Sequence, residues 1–170
     1  METLRHILEM KGDIIFSIGP NEAVFDALRL MANKDIGALL VIENEVLVGI
    51  ISERDYARKI ILLGRTSRQT KVKEIMSFPV HTIHPDSDIE EAMMIMNSKQ
   101  IRHLPISEDG KHVLGLISIK DVLRDMIYYQ REAIKNLEDC VNRQQHAIGD
   151  LEETLGMKYE HKNRVERLVP

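Results

Sequence analysis

The chain has little of several things, and each shortage excludes a class of protein. There is one cysteine, Cys140, in 170 residues. An internal disulfide and a cysteine-built zinc site within one chain are excluded with it. Tryptophan is absent and aromatics make up 4 % of the residues, so the core is aliphatic, with nine methionines as filler. No apolar run approaches the ~20 residues that a membrane span needs. Basic residues are not in excess: 23 Lys and Arg stand against 27 Asp and Glu, a net charge of −4. That balance speaks against a general nucleic-acid binder, which needs a basic surface. Met1–Met10 is amphipathic and of mixed charge, unlike a signal peptide. The expectation is a soluble protein of a reducing compartment, the cytoplasm, with no membrane or nucleic-acid partner.

What the chain does have is an internal repeat. Ile18-Gly19-Pro20 lies over Ile83-His84-Pro85, Ala27 over Ala92 and Met31 over Met96, all at an offset of 65. Ile36–Val41 lies over Ile101–Ile106, and Gly49-Ile50-Ile51-Ser52 over Gly115-Leu116-Ile117-Ser118 after one inserted residue. Each copy reads β-α-β-β-α. A β-rich run comes first (Ile14–Phe16; Val80–Ile83), and Pro20 or Pro85 then opens a helix. Val24, Leu28 and Met31 give the first helix its apolar stripe, and Ile89, Met93 and Met96 the second. Met31, Met93, Met94 and Met96 are all expected in the core. Two strands (Ala38–Ile42 and Leu47–Ile51; Leu104–Ile106 and Val113–Ile117) precede a last helix that begins at Ser52 or Ser118. One such copy is too small to bury both faces of its sheet, so the two should pack on each other. The reading is α+β: unit 1 over 1–64, a basic linker over 65–73, unit 2 over 74–128, a helix over 129–157 and a frayed tail over 158–170. The linker, with Arg65, Arg68, Lys71 and Lys73, reads first as a solvated loop.

The helix carries Ile127, Ile134, Val141, Ile148 and Leu155 every seven residues, with Leu137 and Leu151 at d and Gln130 and Gln144 as polar d positions. This strict period predicts a coiled coil; a helix docked on its own domain is the alternative.

Ser52-x-x-Asp55 and Ser118-x-x-Asp121 both follow a strand. Taken singly, each is a helix N-capping box. Recurring at the same place in both copies, each is also a candidate anion and diol site: serine donates to phosphate, aspartate accepts from ribose hydroxyls. Arg54 and Lys120 lie inside the boxes, and Arg102, His103, Arg65 and Arg68 are further cations nearby. His81 and His84, three apart on a strand, face opposite sides and make a poor metal pair. Cys140 reads as an inert thiol.

With these features the chain resembles the cystathionine-β-synthase (CBS) domain pair, or Bateman module, of the stand-alone bacterial type. The resemblance covers residues 1–127 and rests on Val72-Lys73-Glu74-Ile75-Met76, Ile101-Arg102-His103-Leu104-Pro105-Ile106 and the two boxes together. It implies binding without turnover. The ligand would be AMP, ADP, ATP, NAD(H) or S-adenosylmethionine, in two clefts between the copies, with no catalytic cofactor and no metal. Carried over residue by residue, one cleft joins Ser52 and Asp55 to His81, Thr82, Ile101, Arg102 and His103. The other joins Ser118 and Asp121 to Phe16, Ser17, Ile36, Gly37 and Ala38, and its phosphates would depend on Arg54 or the basic linker. Such pairs are commonly homodimers, which suits the heptad seam. The rival reading is a dimeric scaffold that works through its coiled coil, meeting a protein partner there. An enzyme is the third, and the sequence offers it no nucleophile–base set or phosphate-cradling Gly loop.

Overall fold

A computed structural model of the protein describes residues 3–12 and 14–166, with side chains through Leu155 except that of Glu152. It divides into two units, Met1–Asp125 and Met126–Pro170.

The first unit is α+β and contains both copies of the repeat. Helix α1 (Leu4–Lys11) comes first. The first copy follows: β1 (Ser17–Ile18), α2 (Val24–Lys34), β2 (Ala38–Glu43), β3 (Val46–Ser52) and α3 (Glu53–Tyr56), which widens into an i-to-i+5 stretch over Ala57–Ile61. The second copy has α4 (Ile89–Lys99), β4 (His103–Ile106), β5 (Gly115–Ser118) and the start of α5 (Ile119–Glu166). In the first copy β1 runs parallel to β2 and β2 antiparallel to β3. Asn44 and Glu45 join β2 to β3 with φ of 50° and 68°, the two positive angles that a tight right-twisted hairpin requires. In the second copy β4 pairs antiparallel with β5.

The repeat shows in the backbone as well. α2 ends on Asp35 and α4 on Gln100, both left-handed. The amides of Ile36 and Ile101 then turn back to the carbonyls of Met31 and Met96. These helix stops set where β2 and β4 begin.

Four expectations need correction. The first strands lie later and are shorter than the β-rich runs suggest. β1 is two residues long, and in the second copy a single parallel bridge, Ile83 to Ile106, takes its place. Only the residues just before each proline reach the sheet: Ile18 and Ile83 are buried, whereas Ile14 is 72 % exposed. Second, the prolines do not open the helices, which start at Val24 and Ile89. The carbonyls of Pro20 and Pro85 are tethers, accepting from the amides of Lys73 and Arg5 at 2.9 Å each. Third, Met94 is 66 % exposed, because the buried face of α4 is Ile89, Ala92 and Met96. Fourth, the linker is only partly a solvated loop: Arg65 and Arg68 are exposed, but Thr70 and Val72 are buried.

That burial reflects an exchange. Val72 and Ile75, which open the second copy, sit in the core of the first with Val24, Met31, Leu39 and Ile51. Lys71 bridges to Ala23. Reciprocally, α1 opens the first copy but packs on the second. Thr3 bridges to Asp88, and the amide of Leu4 donates to the carbonyl of Ser87 at 2.9 Å. Each opening segment therefore completes the other copy. The buried aliphatic side chains it supplies contribute ~1.5–3 kcal/mol apiece.

In the second unit α5 continues unbroken to Glu166, into the stretch where the apolar pattern predicts fraying. Lys158, Glu160, Lys162, Arg164 and Glu166 are good helix formers that need no apolar stripe. Residues 167–170, part of the same expected tail, lie outside the described residues. Ile127, Ile134, Leu137, Val141, Ile148, Leu151 and Leu155 are all exposed, as is Cys140.

Candidate functional site

β3 delivers Ser52 to the start of α3, and there the box closes on itself. The Ser52 amide and hydroxyl donate to Asp55 Oδ2 at 3.0 and 2.6 Å, and the Asp55 amide donates to Ser52 Oγ at 3.3 Å. Asp55 Oδ1 accepts from Ser77 Oγ at 3.1 Å and pairs with Lys59 Nζ at 2.8 Å. Lys59 also donates to the carbonyl of Ile75 at 2.6 Å. Burial pushes the Asp55 carboxyl up, but the hydrogen bonds from Lys59, Ser52 and Ser77 outweigh it and hold it below the usual carboxylate value.

The second box repeats this geometry with a different cation. Ser118 donates from its amide and hydroxyl to Asp121 Oδ2 at 2.8 and 2.7 Å. Lys11 of α1 donates to the same oxygen at 2.7 Å and to the carbonyl of Leu116 at 2.7 Å. Arg124 reaches Oδ1 at 3.4 Å. Burial again pushes the carboxyl up, and Lys11 and Ser118 bring it below its ordinary value.

Beside the first box lies an open cavity of about 290 Å³. Ser52, Asp55, Ile101, Arg102 and His103 of the expected set line it, and so does Arg54, which the resemblance assigns to the phosphates of the other cleft. Arg54 ties the copies together by donating to the carbonyl of Gln100 at 3.2 Å. His81 and Thr82 are not in the lining. His81 is exposed, and the Thr82 hydroxyl lies against the turn at Gly110. The lining also holds Ile50, Arg58, Lys59, Ser77 and Gln100, which the boxes alone do not point to. Lys59 was legible as i+4 from Asp55 on one helix face. Ser77 had no local signal, since it arrives through the exchanged segment.

The residues expected around the second box lie about β1 and the opening of β2. Phe16 and Ile36 pack on the first core, with Lys34 Nζ 5.5 Å from the Phe16 ring centre. Ser17 is exposed and pairs with Leu40; Ala38 is buried and pairs with Ser52. Gly37 turns the side where a Cβ would stand toward Glu53 and the imidazole of His103, so the openings of β2 and β4 face each other. Lys120 is exposed. Of the linker arginines, Arg68 lies over the Phe25 ring at 4.1 Å, so its charge is engaged locally.

His103 stands between the boxes, cross-strand from Ser118. Burial lowers its pKa first, and the charges of Arg102 and Lys11 lower it further against the opposing pull of Asp121. The imidazole is thereby held neutral at pH 7. Among the described residues, no three of His, Cys, Asp and Glu gather as metal ligands, and no helix is long and apolar enough to cross a membrane.

The family model for the CBS domain matches residues 4–62 and 72–128. The chain belongs to the CBS-domain family. It is similar to the mitochondrial CBS domain-containing protein CBSX3 of Arabidopsis thaliana, 40 % identical over 122 residues. That match takes in 69 % of this chain and 59 % of the plant protein, so the chain spans well under two thirds of its relative. Among solved structures, a protein with CBS domains from Burkholderia ambifaria, described as a candidate for signal transduction, superposes with a TM-score of 0.71. It is 41 % identical and covers 75 % of this chain and 95 % of its own. The CBS pair of protein MJ0100, solved with 5′-methylthioadenosine and S-adenosyl-L-methionine, gives a TM-score of 0.66 over 74 % of this chain and 96 % of its own. At 23 % identity it shares the fold alone. As a CBS pair, the chain is a tandem of two CBS units followed by a long C-terminal helix.

Proposed function

We propose that this CBS pair is a regulatory module that binds an adenine nucleotide in the cavity beside Ser52 and Asp55. One observation carries the reading. A concave site in a chain of net charge −4 is lined by Arg54, Arg58, Lys59 and Arg102 against a single carboxylate, Asp55. Those cations suit phosphate. Asp55, kept ionised, suits a ribose diol, with Ser52 and Ser77 as hydroxyl partners. Ile50 and Ile101 offer a flat base its apolar surface. The solved pair with two adenosine-containing ligands supports the class of ligand at the level of fold. Asp121 with Ser118 and Lys120 is the corresponding set of the second cleft. Ligand that touches both copies favours one relative arrangement of them and so gives a signal.

Titration calorimetry with adenosine, AMP, ADP, ATP and S-adenosylmethionine tests the reading. A phosphorylated ligand should bind more tightly than adenosine and weaken as salt rises. Asp55→Ala should cost that ligand ~1.5–3 kcal/mol, tenfold to more than a hundredfold in affinity. No binding of any of the five, or an Asp55→Ala variant that binds as before, would return the box to a simple helix cap.

The exposed seam of α5 supports a second reading beside the first: the chain is a homodimer through a coiled coil. Ile at a with Leu at d favours two parallel strands, and the glutamines at d set register.

A further inference from the structure

A second cavity, of about 320 Å³, opens beside the C-terminal end of α4 and has no part in the reading above. Its floor is apolar: Met93 and Met96 of α4, Ile101 just beyond it, and Ile119 at the start of α5. Its polar side chains are those of Arg54, Arg102, Asn97 and Gln100. No acidic residue and no hydroxyl lines it, whereas the first cavity has Asp55, Ser52 and Ser77. The backbone around it is already paired. The carbonyl of Gln100 accepts from Arg54, that of Asn97 from the Gln100 side chain, that of Met96 from the Ile101 amide and that of Arg102 from the Ile119 amide. Among the described residues no carboxylate pairs with Arg54 or Arg102.

We propose that this cavity is a separate ligand site, and that its ligand is a small aliphatic carboxylate. The proposal stands without the nucleotide reading. The lining decides by elimination. A nucleoside brings hydroxyls that need an acceptor such as Asp55, and this cavity has no carboxylate to offer. A cation or a metal ion would meet two arginines and no acid. A neutral apolar molecule would cover the guanidiniums without pairing them, which costs free energy. An acid with a hydrocarbon chain answers each group in turn. Its carboxylate matches the planar fork of a guanidinium. Its chain lies on methionine and isoleucine, and the unbranched methionines adapt to chains of different shape. The volume falls within the ~300–1,000 Å³ of small-molecule sites. Arg54, Ile101 and Arg102 also face the first cavity, but Met93, Met96, Asn97 and Ile119 belong to this one alone.

The test is titration calorimetry on the full chain with octanoate, butanoate and octanol, which separate the whole ligand from its head and its chain. Octanoate should bind at one per chain, at least about tenfold more tightly than either of the others. Asn97 is exposed on α4, so an indole there occupies the cavity without entering the core. Asn97→Trp should abolish octanoate binding, with circular dichroism to show that the variant is folded. Asn97→Asp puts a carboxylate on the cavity wall in the space of the amide. It should weaken octanoate several-fold by repulsion, and it decides the matter if the tryptophan variant does not fold. No binding of octanoate to the unaltered chain would overturn the site. So would butanoate or octanol binding as tightly, or octanoate keeping its affinity in the folded tryptophan variant or in Asn97→Asp. None of these outcomes bears on the nucleotide reading, which is tested with its own ligands.

Discussion

Lys11 Nζ lies 2.7 Å from Asp121 Oδ2, so the carboxylate of the second box holds a cation delivered from the first helix of the chain. Asp55 is paired instead with Lys59 of its own helical segment. The two boxes, alike in sequence, are therefore closed by different means. Lys59 sits in the wall of the first cavity and leaves it open. Lys11 and Ser118 together load Asp121 Oδ2 with three hydrogen bonds, so a ribose diol at that oxygen has to displace one of them. Lys11→Met should raise the number of nucleotides bound per chain from one to two, read by calorimetric stoichiometry with AMP. A variant that still binds one would show that Lys11 does not block the second box.

Acid should destabilise this fold through identifiable groups. His103 has a lowered folded pKa against an unfolded value of ~6.5, so the unfolded chain takes up its proton first. Its contribution is complete above about pH 6.5 and is lost as pH falls toward the folded value, by at most about 1.4 kcal/mol per pH unit. The lowered carboxyls of Asp55 and Asp121 add the same sign further down, intact above about pH 4 and lost as pH falls through their folded values. His103→Gln should flatten the stability curve just below about pH 6.5 and leave the limb below pH 4 steep. Urea unfolding across that range is the measurement. An unchanged slope near pH 6 would mean that His103 titrates alike in both states.

Gly49 and Gly115 hold the same place in the two copies, each facing an exchanged segment. A Cβ on Gly49 would collide with Met76, and one on Gly115 with Leu8. Alanine at either position should lower stability by ~1–3 kcal/mol, the range for overpacking a filled core. Gly115→Ala should fall toward the lower end, because only the terminal Cδ2 of Leu8 has to move, whereas at Gly49 the Cγ and Cβ of Met76 also stand 2.9 and 3.3 Å from the new methyl. Chemical denaturation at pH 7 settles it, and a cost below about 0.5 kcal/mol at Gly115 would argue that α1 is loosely seated.

The tail carries a separate prediction. Cutting the chain after Tyr128, or Leu137→Asp with Ile148→Asp, should weaken dimerisation and leave nucleotide binding intact, since the boxes lie upstream. Light scattering over a dilution series would show it. Equal dissociation constants for the full and cut chains would assign the seam to something other than self-association.

Much of this was legible because the repeat is strict. Matching residues at an offset of 65 carry matching tasks, as Asp35 and Gln100 do in stopping their helices. The boxes were legible for the same reason, and because a reciprocal cap is a local device. What escaped was non-local. Lys11 and Ser77 reach their carboxylates only because opening segments cross between copies, and no spacing records that. Met94 misled because three methionines in a short stretch look alike to a hydropathy count. Only the phase of α4, fixed by Ala92 and Met96, tells which face is inward. The strand expected over Val80–Ile83 misled in another way, since one bridge at Ile83 takes its place.

The crossing of segments also bears on how the chain is made. α1 leaves the ribosome well before its seat, which lies at Pro85, Ser87 and Gly115, about half a chain or more downstream. For that interval Leu4, Ile7 and Leu8 have no partner surface, and for part of it the first copy lacks Val72 and Ile75. The first copy can complete its interior once Val72 and Ile75 emerge, whereas α1 waits for the second copy. Acquisition of structure during synthesis is thus stepwise, with the widely separated contacts of α1 made last. A nascent chain stalled before Val72 should remain open to protease, one stalled once Ile75 has emerged should protect the first copy, and α1 should become resistant only past the second box.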